Sequence, residues 1–323
     1  MAARLEEEVN MSLKGKVAVV AGATRGCGRG IAVELGAAGA TVYCTGRSTR
    51  GNPSDLNRPE TIEETAERVT QAGGVGIAVR VDHTREEEVK ALFERVRAEQ
   101  GGRLDVLVND VWGGDSMIEW GKPFWEMDVA QGWRLLERSV YSHLLTSRYA
   151  VPLMLGHDAG LIVEVTDGDS LGYRGNFFYD LVKTTVIRLA YAMAEEFKSN
   201  RYAGEGGVKS AEAPKNITAV ALTPGFLRSE AMLDHFGVTE ANWRDAIAKD
   251  PYYAESETPH YIGRAVVALA CDPDVHEKAG KALATWHLSR EYGFTDIDGR
   301  APHWQEFFDR MQARKGLDSA DGR

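Results

Sequence analysis

The stretch Val17-Ala18-Val19-Val20-Ala21-Gly22-Ala23-Thr24-Arg25-Gly26-Cys27-Gly28 decides the fold of this chain. Its apolar, β-branched start predicts a buried strand, and a helical pattern follows over residues 28–38. Glycines between the two elements permit a tight turn and a close backbone approach to a pyrophosphate, which the helix N-terminus then faces. The stretch predicts a dinucleotide-binding unit, with an ordinary turn as the alternative because the chain holds 34 glycines. The residues predicted to contact the dinucleotide here are Gly22, Thr24, Arg25, Gly26, Cys27 and Gly28.

Apolar runs and amphipathic stretches alternate along the rest of the chain. Strands are predicted over residues 17–21, 41–45, 76–81, 104–109, 161–166 and 217–222, with a further one near 281–285. Helices are predicted over residues 28–38, 59–71, 85–99, 131–155 and 177–199. This alternation indicates an α/β fold, a doubly wound parallel sheet (Rossmann fold) of about seven strands with helices on both faces.

The chain is predicted to form a single domain over residues 14–286, between an N-terminal extension (1–13) and a C-terminal tail (287–323). Residues 48–58 are expected to form a loop, and residues 202–214, rich in Gly, Ala and Lys, a mobile surface insertion. Aromatic side chains in the tail predict that it packs on the domain until about Phe308 and frays beyond that point.

Composition argues against several classes of partner. A net charge of -10 disfavours nucleic acid, because phosphate contacts need clustered Lys and Arg. No apolar run approaches the roughly 18 residues of a membrane span, and the start, with Glu6-Glu7-Glu8, is unlike a signal peptide. Cys27, Cys44 and Cys271 show neither disulfide nor metal-ligand spacing. We therefore expect a cytoplasmic protein without a metal.

The end of the second predicted strand bears on which dinucleotide binds. An acid there commonly holds the ribose 2′-hydroxyl of NAD, whereas an Arg accommodates the 2′-phosphate of NADP. The stretch Tyr43-Cys44-Thr45-Gly46-Arg47-Ser48 holds no acid, and Arg25 and Arg47 are both placed to reach a phosphate. NADP(H) is therefore favoured over NAD(H), with solvated arginines as the alternative.

A second motif lies far downstream, in Tyr179-Asp180-Leu181-Val182-Lys183. Residues four apart share a helical face, so the phenol of Tyr179 and the ammonium of Lys183 can point into one site. A nearby ammonium favours the phenolate, which suits acid-base catalysis. Such pairs are also common in ordinary helix packing, and the glycine-rich unit is what favours a hydride-transfer enzyme.

With these motifs the chain resembles the short-chain dehydrogenase/reductase family, in the short single-domain branch whose glycine spacing is Gly-x-x-x-Gly-x-Gly. The resemblance covers about residues 14–285, and the tail resembles that of the member-one-like branch. It implies an adenine contact in Asp82, an Asn-Asn-Ala-Gly-like segment after the fourth strand, and a nicotinamide carboxamide loop over residues 224–229. The cofactor residues that the resemblance adds, besides Ser48 next to Arg47, are Asp82, Asn109, Val111, Pro224, Gly225, Leu227 and Ser229.

The resemblance also implies an activity. Hydride passes between the nicotinamide and a carbonyl or alcohol carbon, while Tyr179 acts as general acid/base and Lys183 as its electrostatic partner and as a ligand of the nicotinamide ribose. The family often forms dimers or tetramers through long helices, which implies a homodimer or homotetramer built on residues 131–155 and 177–199.

The catalytic Ser that the family places at the end of the fifth strand is missing from Val163-Glu164-Val165-Thr166-Asp167-Gly168-Asp169-Ser170. Thr166 is preferred as its substitute, since a Thr hydroxyl can replace that of Ser directly. Asp167 and Ser170 are the rivals, although an ionised Asp only accepts hydrogen bonds and would raise the phenol pKa. Each of the three could also be a simple turn residue.

A second family residue, the helix Asn that supports a water-linked proton path to the Lys, is replaced by Val140 beside Ser139. Either a backbone carbonyl and water substitute for it, or turnover is compromised.

Aromatic and apolar side chains flank both expected edges of the substrate cleft and favour an apolar or aromatic carbonyl or alcohol substrate. Core packing is the alternative for each of them, and His143 and His235 are candidate polar contacts. The flanking residues are Trp112, Trp120, Phe124, Trp125, Phe177, Phe178, Phe226, Met232, Leu233 and Phe236.

The leading hypothesis is an NADP(H)-dependent oxidoreductase that acts on a carbonyl or alcohol. The missing Ser and Asn motivate an alternative, a catalytically degenerate NADP-binding sensor or scaffold. An isomerase or dehydratase with a tightly held cofactor is less favoured, because its usual representatives have another glycine spacing and a separate substrate domain.

Overall fold

The computed structural model describes residues 11–53, 57–198 and 216–321. The predicted insertion at 202–214 and most of the N-terminal extension lie outside the described residues. Within them, no helix is long and apolar enough to cross a membrane.

Seven parallel strands form one sheet in the order β3-β2-β1-β4-β5-β6-β7, which confirms the Rossmann fold. The strands are β1 Val17–Ala21, β2 Thr41–Gly46, β3 Val75–Arg80, β4 Val106–Asn109, β5 Gly160–Val165, β6 Ile217–Thr223 and β7 Ala282–Ala284. The chain order reverses between β1 and β4, where connections leave to opposite faces. The carboxyl ends of the strands there border a crevice, the usual ligand site of such sheets.

Helices cover both faces of the sheet. In chain order they are α1 Gly26–Ala37, α2 Ile62–Gln71, α3 Glu86–Glu99, α4 Val129–Leu136, α5 Ser142–Leu155, α6 Phe177–Lys198, α7 Glu230–Phe236, α8 Pro259–Cys271, α9 Thr285–Tyr292 and α10 Trp304–Asp321. Alternate side chains of the central strands enter different cores: Val20 packs in the same core as residues of α1 and α8, and Val19 in that of α3 and α5. Both faces of β1 are therefore buried, which explains its continuous apolar sequence.

The structure corrects two predicted segments. The single helix expected over residues 131–155 is split by a π-helical turn at Glu137–Tyr141, and it begins at Val129 because the Asp128 carboxylate accepts from the amides of Ala130 and Gln131. The tail remains helical beyond Phe308, since α10 continues to Asp321. The other predicted strands and helices are present with bounds that differ by a few residues.

Candidate active site

The glycine-rich turn between β1 and α1 is shaped by close backbone contacts. Gly22 has a φ of +94°, and a Cβ there would lie 2.3 Å from the carbonyl oxygen of Asp110. Gly26 has a φ of +55°, and a Cβ on it would instead face Leu227 and Ser229 at 3.9 Å, across an open cleft. The Gly26 amide at the N-terminus of α1 donates to the Glu230 carboxylate at 2.8 Å, so an anion site is formed there and the carboxylate stands where a dinucleotide phosphate would bind. Glu230 must withdraw for that phosphate to enter.

The cleft is one continuous cavity of about 1260 Å³ along the carboxyl edge of the sheet. Most predicted site residues line it: Gly22, Thr24, Arg25, Gly26, Cys27, Arg47, Ser48, Asp82, Val111, Thr166, Asp167, Ser170, Tyr179, Lys183, Pro224, Gly225, Leu227 and Ser229.

Gly28 and Asn109, which were predicted to contact the cofactor, do not line the cavity. The Gly28 amide donates to the Asp110 carboxylate at 2.6 Å, and a Cβ at Gly28 would lie 2.3 Å from the carbonyl oxygen of Gly22. The fully buried Asn109 donates to Glu164 at 2.7 Å and to Ser147 at 2.9 Å. Both residues support the turn from behind.

Two arginines and a serine lie at the end of the cleft where β2 ends. Arg47 and Ser48 line the cavity, and Arg25 lies 3.5 Å from the Ser48 hydroxyl. The guanidinium of Arg25 also pairs with the buried carboxylate of Glu60 at 3.3 Å. Glu60 was not foreseen, because it lies far from the glycine-rich turn in sequence. It partly neutralises the positive charge at this end.

Tyr179 and Lys183 both face the cavity from the first turns of α6. The Tyr179 hydroxyl donates to Asp167 at 2.7 Å, and the Lys183 ammonium lies 4.3 Å from the ring centroid of Trp112. The Tyr179 ring is enclosed by Trp112 and Trp120, with centroid distances of 5.5 and 5.6 Å. Burial and the charge of Asp167 raise the pKa of Tyr179 well above its usual value.

Asp167, rather than Thr166, contacts the phenol. The Thr166 hydroxyl donates to the Lys183 carbonyl oxygen at 2.9 Å, so it ties β5 to α6 and points away from Tyr179. Ser170 accepts from the Gly172 amide at 3.4 Å and lies in the same loop without touching Tyr179. The structure thus brings Asp167, two residues beyond the end of β5, to the phenol and not the preferred Thr166, although both residues line the cavity.

Arg174 holds the loop that carries Asp167. Its guanidinium donates to the carbonyl oxygens of Asp167, Ser170 (2.6 Å) and Gly172 (3.0 Å), and to Asp180 on α6 at 3.1 Å. The side chain is nearly buried, with 9% of its surface exposed. The sequence gives no sign of this role for Arg174, because its partners are mostly backbone carbonyls and no pattern of residue types marks them.

The helix position of the family's Asn is held by Val140, which is partly buried and packs against the cluster of Leu135, Val182 and Val186. Beside it, Ser139 donates to the Trp112 carbonyl oxygen at 3.1 Å. His143 lies one turn further, 2.7 Å from Glu164 and 3.1 Å from the Val111 carbonyl oxygen, so it is a buried support and not a substrate contact. His235 does not line the cavity either.

The aromatic and apolar side chains predicted to flank the substrate fall into three groups. Trp112, Trp120, Phe226 and Met232 line the cavity. Phe124, Trp125 and Phe177 stack on one another outside it. Phe178, Leu233 and Phe236 belong to apolar clusters.

The chain is similar in sequence and fold to known proteins. The profile of the family described as short chain dehydrogenase matches residues 16–203. Dehydrogenase/reductase SDR family member 1 of Mus musculus is 37% identical over 292 residues, which cover 89% of this chain and 85% of that protein. The chain belongs to the short-chain dehydrogenase family. It is accordingly an NAD(P)-dependent oxidoreductase.

Two solved short-chain dehydrogenases extend the comparison. A hydroxysteroid dehydrogenase from Escherichia coli superposes with a TM-score of 0.65 at 25% identity, covering 86% of this chain and 98% of its own. A chain from Beutenbergia cavernae, described as an NAD(P)-dependent gluconate 5-dehydrogenase with bound NADP at low occupancy, superposes with a TM-score of 0.63 at 26% identity and covers 85% and 97%.

This short-chain dehydrogenase shows no cluster of His, Cys, Asp or Glu that could hold a metal ion within its described residues. It does bury an acid beside the glycine-rich turn: burial raises the pKa of Asp110 to about 7, while the charge of Lys183 opposes the rise. Asp110 follows Asn109 directly, so the quoted segment already contained it, but only the fold shows that its carboxylate supports the turn.

Proposed function

We propose that this short-chain dehydrogenase transfers hydride between NADP(H) and an apolar or aromatic carbonyl or alcohol compound, with Tyr179 as general acid/base. One observation carries the proposal: Tyr179 and Lys183 share a single cavity with the glycine-rich turn and with the loop of Pro224. A substrate carbonyl beside the phenol can therefore lie next to a bound nicotinamide.

Tyr179 is best suited to donate a proton. Because its raised pKa keeps the phenol protonated at neutral pH, it can protonate the substrate oxygen as the carbonyl is reduced. When bound, the dinucleotide supplies the hydride. Before the transfer the hydroxyl donates to Asp167 at 2.7 Å, so it must turn from Asp167 to the substrate oxygen to give up its one proton. The positive charge of Lys183 then stabilises the phenolate that remains.

The proposed preference for NADP(H) rests on Arg47 and Ser48. They line the cleft beyond β2, where the stretch from Tyr43 to Ser48 holds no acid and the nearby carboxylate of Glu60 is paired with Arg25 and Arg58. The Beutenbergia cavernae chain was solved with NADP. We expect Arg47→Ala to lower the NADPH-over-NADH ratio of kcat/KM at least about tenfold, since it removes a charge-assisted phosphate contact. An unchanged ratio would contradict the role of Arg47.

The proposed substrate is apolar because Trp112, Trp120 and Phe226 line the cleft around Tyr179. A relative named for hydroxysteroids shares the fold at 25% identity, which fits an apolar secondary alcohol or its ketone. We also propose a cytoplasmic homodimer or homotetramer, with exposed apolar side chains on α5 and α6 as the contact.

The central test follows NADPH absorbance with a panel of ketones and aldehydes for the native chain, Tyr179→Phe and Tyr173→Phe. Tyr173 also lines the cavity but makes no hydrogen bond to Asp167, so its variant is a matched control. We expect Tyr179→Phe to lose at least about a hundredfold in kcat and Tyr173→Phe to keep most of it. Equal rates in the two variants would contradict the role of Tyr179 as general acid/base.

The alternative is a non-catalytic NADP-binding sensor. Its supporting observation is that the phenol proton points at Asp167, where the family places a hydroxyl. Tight NADPH binding by calorimetry, without turnover of any carbonyl or alcohol in the panel, would favour this alternative.

A further inference from the structure

The C-terminal segment closes one side of the cleft. Trp304, Gln305 and Phe308 of α10 line the same cavity as Tyr179, together with Tyr252. The segment is firmly attached, since Arg290 pairs with Glu306 at 2.6 Å and the His303 amide donates to Glu255 at 2.9 Å. α10 is thus a fixed wall and not a loose end.

This wall is aromatic and touches the carboxamide loop. Trp304 lies 5.8 Å from Phe226, 6.1 Å from Tyr252 and 5.9 Å from Phe308, measured between ring centroids. A Cβ on Gly225 would lie 2.9 Å from the Cβ of Trp304, so the tail packs directly on the loop next to the reaction centre.

A second aromatic set lines the same cavity next to the proposed reacting group. Trp112 and Trp120 enclose the Tyr179 ring, and both line the cavity. A cavity lined by two aromatic sets favours a flat, apolar ligand, because ring stacking adds to the burial of apolar surface.

We propose that Trp304 and Phe308 determine substrate specificity, by selecting carbonyl compounds that carry a flat apolar ring system. The inference rests on the proposed function for its reacting group. It adds the element that recognises the remainder of the substrate, which lies outside residues 16–203 of the family match.

Phe307 offers a matched control. It belongs to the same helix and the same aromatic cluster, 6.2 Å from Trp304, but it does not line the cavity. The test compares Phe308→Ala, Trp304→Ala and Phe307→Ala with 2-acetylnaphthalene and butanone as substrates. For Phe308→Ala we expect KM for 2-acetylnaphthalene to rise about fivefold or more while kcat/KM for butanone stays within about twofold, and we expect Phe307→Ala to match the native chain with both ketones. Trp304→Ala should also raise KM for 2-acetylnaphthalene, but its contact with the carboxamide loop predicts a loss with butanone as well.

Equal behaviour of Phe308→Ala and Phe307→Ala, or equal losses by Phe308→Ala on both ketones, would overturn the inference. If the native chain reduces neither ketone, binding of 2-acetylnaphthalene by calorimetry replaces turnover. If Phe308→Ala weakens this binding and Phe307→Ala does not, the role of α10 in ligand recognition is supported although the proposed reaction is rejected. Equal binding by the two variants rejects the wall.

Discussion

Asp167 and Tyr179 form the least usual pair of this site, because a carboxylate accepts the hydrogen bond of the phenol that we propose as the proton donor. The charge of Asp167 stabilises the neutral phenol and opposes the phenolate. In the proposed reaction this favours reduction, which starts from the neutral phenol, over alcohol oxidation at neutral pH, which needs a base.

Asp167→Asn should move the pH dependence of oxidation. Removing the negative charge lowers the pKa of Tyr179, so we expect alcohol oxidation to rise at a pH lower by about one unit or more. The measurement is kcat/KM against pH for the native chain and for Asp167→Asn, with Asp167→Ser restoring the hydroxyl that the family uses. An unchanged profile in both variants would show that Asp167 does not act on Tyr179.

Arg174→Ala should move the profile in the opposite direction. Arg174 lowers the pKa of Tyr179 and holds the Asp167 loop, so its loss shifts oxidation to higher pH and lowers kcat by about tenfold or more. Arg174→Lys keeps the positive charge but loses the planar guanidinium with its several donors. It should therefore restore the pH profile of oxidation more fully than it restores kcat. Arg188→Ala on α6 is the control. A lower Tm for Arg174→Ala without any shift of the pH profile would show that Arg174 acts only on stability.

The contact between α1 and α8 sets how tightly the cofactor helix is held. Gly30 lies against α8 so closely that a Cβ would approach the Pro259 carbonyl oxygen to 2.0 Å. Overpacking of this kind typically costs about 1–3 kcal/mol. We expect Gly30→Ala to lower the free energy of unfolding in urea by at least that amount, whereas Gly51→Ala, where no atom lies within 4 Å, should change it little. Equal stability of the two variants would contradict the close approach.

The whole molecule presents apolar side chains on its α4–α6 side that its own core does not cover. Trp133, Leu144 and Leu181 are 69%, 52% and 39% exposed. Because large exposed apolar side chains mark protein contacts, we expect a dimer or tetramer in sedimentation velocity and a smaller species for Leu144→Glu. Ile297→Glu, at a 50% exposed position of the tail, should leave the assembly intact. A native chain that sediments as a monomer would exclude this interface.

Local sequence was enough for the parallel sheet and the cofactor turn. The continuous apolar run of β1 and the glycines after it act through neighbours along the chain, so their pattern is visible in the sequence. Tyr179 and Lys183 were likewise predictable, since a helix brings residues four apart to one face.

Only the tertiary structure shows that Asp167, and not Thr166, contacts the Tyr179 phenol, because the Thr166 hydroxyl donates to the Lys183 carbonyl oxygen instead. It also brought Glu60, Arg174 and Trp304 to the site from distant parts of the chain. The sequence thus determined the fold class and the pairing of Tyr179 with Lys183 on one helical face, through contacts local to a strand, a turn and a helix. The partners of that pair and the shape of the substrate side depend on contacts between distant segments, which exist only once the sheet has formed.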